Sequence, residues 1–241
     1  MPHPLLERTE FAPLFRSCRA QFGRDDALLH RAFELRFQVY VQECRFLPAN
    51  AYPDGLETDA YDAGAAHFCA FNLKDELVGY VRLVRPDGEH TFPFQQRCPT
   101  LLPGVLLAPP EQAAEVSRLI VRQDYRRRRG DSLTGVNEAS ASDTPDPQKR
   151  DNSPQILLSL YRQIYTFSRH NNIHYWYAAM ETTLALVLTR MDFAFTRIGP
   201  AIDYYGPVTP FMANLTETET RVGQRHPDLL AWMQGLDTEV S

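Results

Sequence analysis

Charged residues stand inside segments of this sequence that are otherwise apolar. Arg36 and Arg82 each occur in such a segment. Glu115 and Arg118 share a third one, three positions apart. Burying a charge without a partner costs far more free energy than leaving it in water. If these segments form the core, the fold has to bring their charges together as ion pairs.

The spacing of apolar residues predicts the secondary structure. It indicates helices over residues 26–46, 155–169 and 182–191, and strands over residues 67–73, 77–84, 114–121, 174–180 and from 193 to about 215. A three-residue polar turn separates the first two strands and predicts a hairpin. Residues 91–110 are rich in proline and are expected to be irregular. Residues 130–154 are small, polar and proline-punctuated, which predicts a mobile loop.

A hairpin followed by alternating helices and strands predicts an α/β (α+β) fold, with helices on the faces of a mixed, twisted sheet. The strand at 114–121 is expected to be central. It should splay from the strand at 174–180 and leave a V-shaped opening. The chain has 241 residues, 44% of them hydrophobic, which is enough for one domain over residues 1–241 with a sizeable core.

Charge and composition argue against several functions. The net charge is −5, whereas nucleic-acid-binding domains are usually basic. No signal peptide is recognised and no apolar run has the length of a transmembrane segment, so we expect a cytoplasmic protein. Neither the four cysteines nor His67, His170 and His174 are at metal-ligand spacing, and no metal site is predicted.

Further polar and aromatic residues join the charged ones as candidates for a site. The set consists of Arg36, Tyr40, Phe46, Asp59, Asp62, Arg82, Glu115 and Arg118. Its three arginines and three carboxylates could neutralise one another around a cleft. The alternative is a collection of separate surface salt bridges, each worth about 0–1 kcal/mol.

The order and spacing of this set resemble the signature of the acyl-homoserine-lactone synthases. That signature is an Arg, an aromatic four positions later, an aromatic six after that, then D-x-x-D, G-x-x-R and E-x-x-R. One departure is Phe46, where those synthases carry Trp. The segments LRFQVYVQE, ETDAYDAGAAHF, GYVRLVRP, EVSRLIV and IGPAIDYYGPVTPF are more similar to the PEP-CTERM/exosortase-associated acyltransferases, which belong with the N-acyl amino acid synthases.

This resemblance implies a GNAT fold and an N-acyltransferase. Such an enzyme moves a fatty acyl group from a thioester to the amine of an amino acid or similar small molecule, with no bound cofactor. Amine attack needs a group that accepts a proton, and Glu115 is the candidate base. The alternative role of Glu115 is a structural partner of Arg82 or Arg118.

The resemblance also gives the other residues of the set expected roles around the substrates. Arg82 and Arg118 would bind an acceptor carboxylate or hold the acidic cluster. Tyr40 and Phe46 would line the acceptor or acyl pocket, although aromatics on a helix are equally typical of a core.

The basic segment VRQDYRRRRG, residues 121–130, indicates which acyl donor to expect. In CoA-dependent GNAT enzymes such a segment wraps the pyrophosphate and opens directly into a helix. Here residues 130–154 intervene, which favours the acyl-phosphopantetheine of an acyl carrier protein as donor. Four arginines would meet the acidic carrier, namely Arg126, Arg127, Arg128 and Arg129. The alternative is an ordinary solvated charge run.

Other interpretations and one unassigned role stay open. Leu188 stands where many relatives place a Tyr that protonates the leaving thiolate, so no leaving-group acid is assigned. A second function is a lactone synthase that uses S-adenosylmethionine. A third is a catalytically silent GNAT-like binding module.

Overall fold

The computed structural model describes residues 11–12, 14–86, 91–126, 153–203 and 206–235. Eight strands occur in these residues: β1 (Phe15–Ala20), β2 (Ala66–Asn72), β3 (Leu77–Val84), β4 (Ala113–Val121), β5 (Tyr175–Met180), β6 (Phe195–Arg197), β7 (Ile202–Asp203) and β8 (Pro207–Asn214). The same residues form six α-helices: α1 (Asp26–Phe37), α2 (Pro93–Arg97), α3 (Ser153–His170), α4 (Thr182–Arg190), α5 (Leu215–Arg225) and α6 (Pro227–Gln234).

The strands form one sheet in the order β1-β2-β3-β4-β5-β8-β6, with the short β7 paired beside β8. Of the strand pairings in the described residues, the β4–β5 pairing alone is parallel, so the predicted mixed sheet with a central β4 is confirmed. That pairing covers three residues on each strand and ends where Glu115 faces Tyr177. Beyond this point β4 continues to Val121 paired only with β3, and the sheet parts between β4 and β5.

Successive residues of a strand point to opposite faces of the sheet, and helices pack against both faces. Val81 and Leu83 of β3 belong to the large core beneath α3. Tyr80 of β3 points to the opposite face and packs with Leu29 and Leu35 of α1. This period of two places Arg82 on the α1 face as well. The sheet therefore brings the charged residue of β3 towards the charged residue of α1.

The predicted helix at 26–46 is shorter than expected. The α-helix ends at Phe37, and a π-helical segment over Gln38–Glu43 follows it. The proline-rich stretch expected to be irregular contains the short helix α2, which begins at Pro93. Proline suits a first helical turn because its missing N–H has no partner there.

Some elements were not predicted from the sequence, and one predicted loop lies mostly outside the described residues. The sequence analysis did not identify β1, an edge strand whose Arg16 side chain is 68% exposed, because its apolar pattern is weak. Helices α5 and α6 were also missed. Most of the expected mobile loop, residues 130–152, lies outside the described residues, while residues 153 and 154 begin α3.

Gly79 on β3 permits the close approach of α3. A Cβ atom at this position would lie 2.6 Å from Ile156 Cγ2 and 3.3 Å from the carbonyl oxygen of Ile120. We predict that Gly79→Ala lowers the free energy of unfolding by about 1–3 kcal/mol, because the added methyl overpacks a filled interface. Gly64→Ala is the control, since a Cβ there meets no atom within 4 Å. Equal denaturant midpoints for the two variants would contradict this packing.

Candidate active site

Arg36 on α1 anchors a buried network of ion pairs. Its side chain has no exposed surface. The Nε atom donates to Glu57 Oε2 at 2.5 Å, and Nη1 donates to Asp62 Oδ1 at 2.6 Å. Among the described residues its Nη2 atom has no acceptor. The two carboxylates provide the negative charge without which this guanidinium would be expensive to bury.

Arg82 on β3 joins the same network from the sheet. It binds both oxygens of Asp59, at 2.5 and 2.9 Å, and donates to Asp62 Oδ1 at 2.6 Å. Its Nε atom donates to Ser117 Oγ at 3.1 Å. All three nitrogens are thus occupied, and the side chain has no exposed surface. This geometry corresponds to the second expected role of Arg82, which is to hold the acidic cluster.

Arg118 on β4 completes the network through an unusual backbone. Its φ angle is +53°, next to an irregularity in the β3–β4 pairing. A left-handed residue at such a bulge redirects its side chain. The guanidinium binds both oxygens of Glu57 at 2.9–3.3 Å and Asp59 Oδ2 at 3.2 Å. It also lies over the Tyr40 ring, 5.3 Å from its centroid.

His67 and Tyr80 support the network from behind. His67 Nε2 lies 2.9 Å from the carbonyl oxygen of Asp62, which can only accept, so this nitrogen carries the proton. The Nδ1 atom then accepts from the Tyr80 hydroxyl at 2.7 Å. Burial lowers the pKa of His67 and keeps the ring neutral. The expected interpretation of His67 as a packing histidine agrees with this position.

The pKa values of the carboxylates reflect their arginine partners. Burial alone would raise the pKa of Asp59, but the hydrogen bonds and charge of Arg82 outweigh it and lower the pKa to about 2. Burial likewise opposes the ionisation of Glu57, yet Arg118 and Arg36 lower its pKa. Both groups are therefore ionised at neutral pH.

The predicted charged residues of four sequence regions meet at one place. Arg36, Asp59, Asp62, Arg82 and Arg118 are joined by ion pairs of 2.5–3.2 Å. The alternative of separate surface salt bridges does not describe them, since most of these side chains are buried.

Glu57 is the member of the network that the sequence analysis missed. It binds Arg36 and Arg118 from a fully buried position. Its position two residues before Asp59, in an acidic ETDAYD run, was the available signal.

Glu115 lies next to this network but outside its ion pairs. It is the last β4 residue paired with β5, and it is only 4% exposed. No arginine within the described residues forms an ion pair with it, so the alternative role of structural partner is not the one observed. Its Oε2 atom accepts the backbone N–H of Phe94 at 2.8 Å. Burial raises the pKa of Glu115 to about 8, although the Phe94 N–H, Arg82 and Arg118 act to lower it.

An aromatic cluster fixes the N–H group that reaches Glu115. The ring of Phe94 lies 4.9 Å from that of Tyr177 on β5, and Phe92 lies 5.0 Å from the same ring. The Tyr177 hydroxyl accepts the N–H of Ala108 at 2.7 Å. Helix α2 is therefore fastened across the point where β4 and β5 part. The site has one buried carboxyl that can accept a proton, beside carboxylates that are already neutralised.

The remaining predicted residues are two aromatic residues and the four arginines of the basic segment. Tyr40 and Phe46 are partly buried, with ring centroids 6.5 Å apart. Phe46 packs near Gly206, since a Cβ there would lie 3.7 Å from its ring. Arg126 pairs with Glu43, and its side chain is 17% exposed. Arg127, Arg128 and Arg129 lie outside the described residues.

Across the described ranges, no three His, Cys, Asp or Glu side chains are arranged so that they could hold a metal ion. None of the helices in this part of the chain combines the length and apolar character needed to cross a membrane.

A mixed sheet that parts between two parallel central strands, with helices on both faces, defines the GNAT acyltransferase fold. In agreement, a family model described as an acetyltransferase (GNAT) domain matches residues 35–135. No curated protein sequence matches the chain.

Solved structures with similar folds include synthases of two kinds. A CoA-dependent acyl-homoserine lactone synthase, BjaI, solved with SAM and isopentyl-CoA, has 19% identity and a TM-score of 0.61 over 92% of this chain and 98% of its own. The acyl-homoserine lactone synthase LasI has 18% identity and a TM-score of 0.55, covering 84% and 89%. FeeM, an N-acyl amino acid synthase from uncultured soil microbes, has 14% identity and a TM-score of 0.51, covering 86% and 94%.

These likenesses confirm the predicted GNAT fold, and an acyltransferase fold of this kind is consistent with an enzyme. At such low identities they establish the architecture and no more. The roles of individual residues rest on the geometry of the site.

The raised pKa of Glu115 predicts that this carboxyl destabilises the folded protein at alkaline pH. Near pH 4 the group is protonated in both states, and Glu115→Gln should change stability little. Between pH 4.5 and about 8 the unfolded state loses the proton first, which favours unfolding. At pH 8.5 we therefore expect Glu115→Gln to be more stable than the wild type, by on the order of 1–4 kcal/mol.

Denaturant titrations at pH 4.5 and pH 8.5 measure this difference. Glu111→Gln is the matched control, because Glu111 is an exposed carboxylate just before β4. Its substitution should change the free energy of unfolding by less than about 0.5 kcal/mol, as is usual for an exposed side chain. A Glu115→Gln variant that is less stable than the wild type at pH 8.5 would show that the carboxylate is favourably paired.

Proposed function

We propose that this protein is an N-acyltransferase that moves a fatty acyl group from an acyl carrier protein thioester to the amine of an amino acid or similar small molecule. The observation that carries the proposal is Glu115, a buried carboxyl at the point where β4 and β5 part that has no ion-pair partner among the described residues. An ordinary carboxylate is too weak a base to deprotonate an ammonium group effectively. Burial raises the pKa of Glu115 to about 8, close to a working pH.

The chemistry follows from this placement. Glu115 takes a proton from the acceptor ammonium, and the freed lone pair attacks the thioester carbonyl carbon. The tetrahedral oxyanion requires N–H donors, which the backbone of β4 beyond Glu115 can offer where it no longer pairs with β5. Collapse then breaks the C–S bond. The leaving thiol has a pKa of about 8.5, so it departs as a thiolate without a dedicated acid. The second proton of the attacking nitrogen then neutralises this thiolate, which leaves as the free thiol. Leu188 is buried and offers no proton.

The buried ion-pair network supplies positioning in this proposal. Asp59, Asp62, Arg82 and Arg118 shape the polar wall of the acceptor site beside Glu115. The partly buried rings of Tyr40 and Phe46 line its rim, one of them beneath Arg118. Similarity of five segments to the exosortase-associated acyltransferases is the reason to place an amino acid first among the acceptors.

A lactone synthase that uses S-adenosylmethionine is the second candidate function. The structural likeness to BjaI and LasI favours it, since both are acyl-homoserine lactone synthases and their TM-scores exceed that of FeeM. The two candidates share the acyl-transfer step and differ in the acceptor. A silent binding module is disfavoured, because such a module has no need of an unpaired buried carboxyl.

Release of free thiol from an acyl thioester, in the presence of an amine pool, tests acyl transfer. We predict that Glu115→Gln lowers kcat about 10²–10⁴-fold, because the base is lost while the side-chain shape is kept. In the wild type, kcat/KM should rise with pH up to about 8 as Glu115 ionises. This limb of the profile should be absent from the variant. Glu111→Gln should retain wild-type kinetics. Wild-type activity in Glu115→Gln would exclude this carboxyl as the base.

The same assay distinguishes the donors. One long acyl chain is offered on an acyl carrier protein and on CoA. Higher kcat/KM with the carrier protein supports the proposed donor and a docking role for Arg127, Arg128 and Arg129. Arg126 contributes less to docking, because Glu43 already neutralises it. Equal efficiency with both donors would reject the carrier preference and leave acyl transfer intact.

A further inference from the structure

The charged groups of the cleft sum to one negative charge when Glu115 is ionised. Three guanidinium groups face three carboxylates in ion pairs, namely those of Arg36, Arg82, Arg118, Glu57, Asp59 and Asp62. The paired groups therefore carry no net charge together. His67, behind them, is neutral. Glu115 has no cationic partner within the described residues, so its ionised form gives the cleft one net negative charge.

The most exposed group of the network is a carboxylate and not an arginine. The side chains of Arg36 and Arg82 have no exposed surface. Asp59 is the most exposed member, at 25%, followed by Arg118 at 13%. Two nitrogens of Arg118 already donate hydrogen bonds to Glu57 and Asp59. An incoming molecule thus meets a carboxylate at least as readily as a guanidinium.

Glu115 adds a second acidic group to this edge. One of its oxygens accepts the Phe94 N–H, and the other accepts no hydrogen bond from the described residues. This second oxygen is not among the buried side-chain atoms that lack a partner, so it keeps some contact with solvent, where a ligand can reach it. An ammonium group supplies both the hydrogen bond and the missing positive charge.

We propose that the acceptor is an amine with a net positive charge, and that its ammonium group docks against Glu115. Asp59 lies beside this position but its oxygens already accept hydrogen bonds from Arg82, Arg118 and the backbone of Tyr61. The proposal rests on the proposed acyl transfer and narrows its acceptor. A basic amino acid such as ornithine fits, whereas an acidic one does not. Among lactone precursors, a sulfonium compound fits better than its neutral thioether.

The cation also prepares the reaction. A positive charge beside Glu115 favours its ionised form, which is the form that acts as base. The proton then moves from the reacting ammonium nitrogen to Glu115. The C–N bond forms in the tetrahedral intermediate, and the C–S bond breaks when that intermediate collapses. Because this proton moves within the complex, the total charge does not change, and an acceptor with one net positive charge keeps the complex neutral throughout.

Acceptors matched in size and different in charge provide the test. With one acyl thioester, kcat/KM is measured for ornithine, glutamine and glutamate, and for S-adenosylmethionine against S-adenosylhomocysteine. We expect the cationic member of the better-used set to exceed its neutral counterpart by at least about tenfold, with glutamate lowest. A neutral or anionic acceptor that equals the cationic one overturns the proposal while acyl transfer stands. No thiol release with any amine overturns the proposed function itself.

Direct binding separates charge from catalysis. Isothermal titration calorimetry gives the ratio of dissociation constants for the two members of the better-used pair. Glu115→Gln removes the surplus charge with little change in shape, so the ratio should fall to nearly one. Glu111→Gln removes an exposed carboxylate outside the cleft and should preserve the wild-type ratio. An unchanged ratio in Glu115→Gln would contradict the proposed docking.

Discussion

Mutual neutralisation of buried guanidinium and carboxylate groups is the interaction on which this cleft depends. It joins α1 through Arg36, β3 through Arg82 and β4 through Arg118 to the acidic segment between α1 and β2. That segment has little regular structure of its own, and the ion pairs of Glu57 and Asp59 fix its course. Removing one partner would leave a buried charge uncompensated, typically at a cost of about 3–5 kcal/mol. The network is therefore a condition for the cleft to exist, whatever its contribution to net stability.

The separation of β4 from β5 places Glu115 beside the neutral network. Pairing ends at Glu115 and Tyr177, and α2 closes over that point through the ring of Phe94. Burial without an ion pair leaves Glu115 with a raised pKa. A carboxyl in this state opposes folding at high pH, and the same property makes it a useful base near neutrality. Stability and proposed activity thus place opposite demands on a single side chain.

The sequence was informative where a regular pattern carried the information. Short apolar segments and a polar turn between two of them predicted β2, β3 and β4, and charges inside apolar segments predicted that Arg36, Arg82 and Arg118 would converge. Glu57 was missed because it lies outside the D-x-x-D spacing that identified Asp59 and Asp62 in the same segment. The partner of Glu115 could not be predicted, since it is a backbone N–H of Phe94 brought in by tertiary packing. Nor does any residue pattern reveal the left-handed backbone of Arg118, which aims its side chain at Glu57.

The central claim is that Glu115 is held unpaired and protonates in the neutral range. Carbon-13 NMR of protein labelled at the glutamate carboxyl carbons measures this directly, with Glu115→Gln to assign the resonance. The account predicts one resonance that titrates with a pKa of about 8 and disappears in the variant. If the Glu115 resonance instead titrates in the ordinary range near pH 4, the carboxylate is paired or well solvated in solution, and the proposed base is wrong.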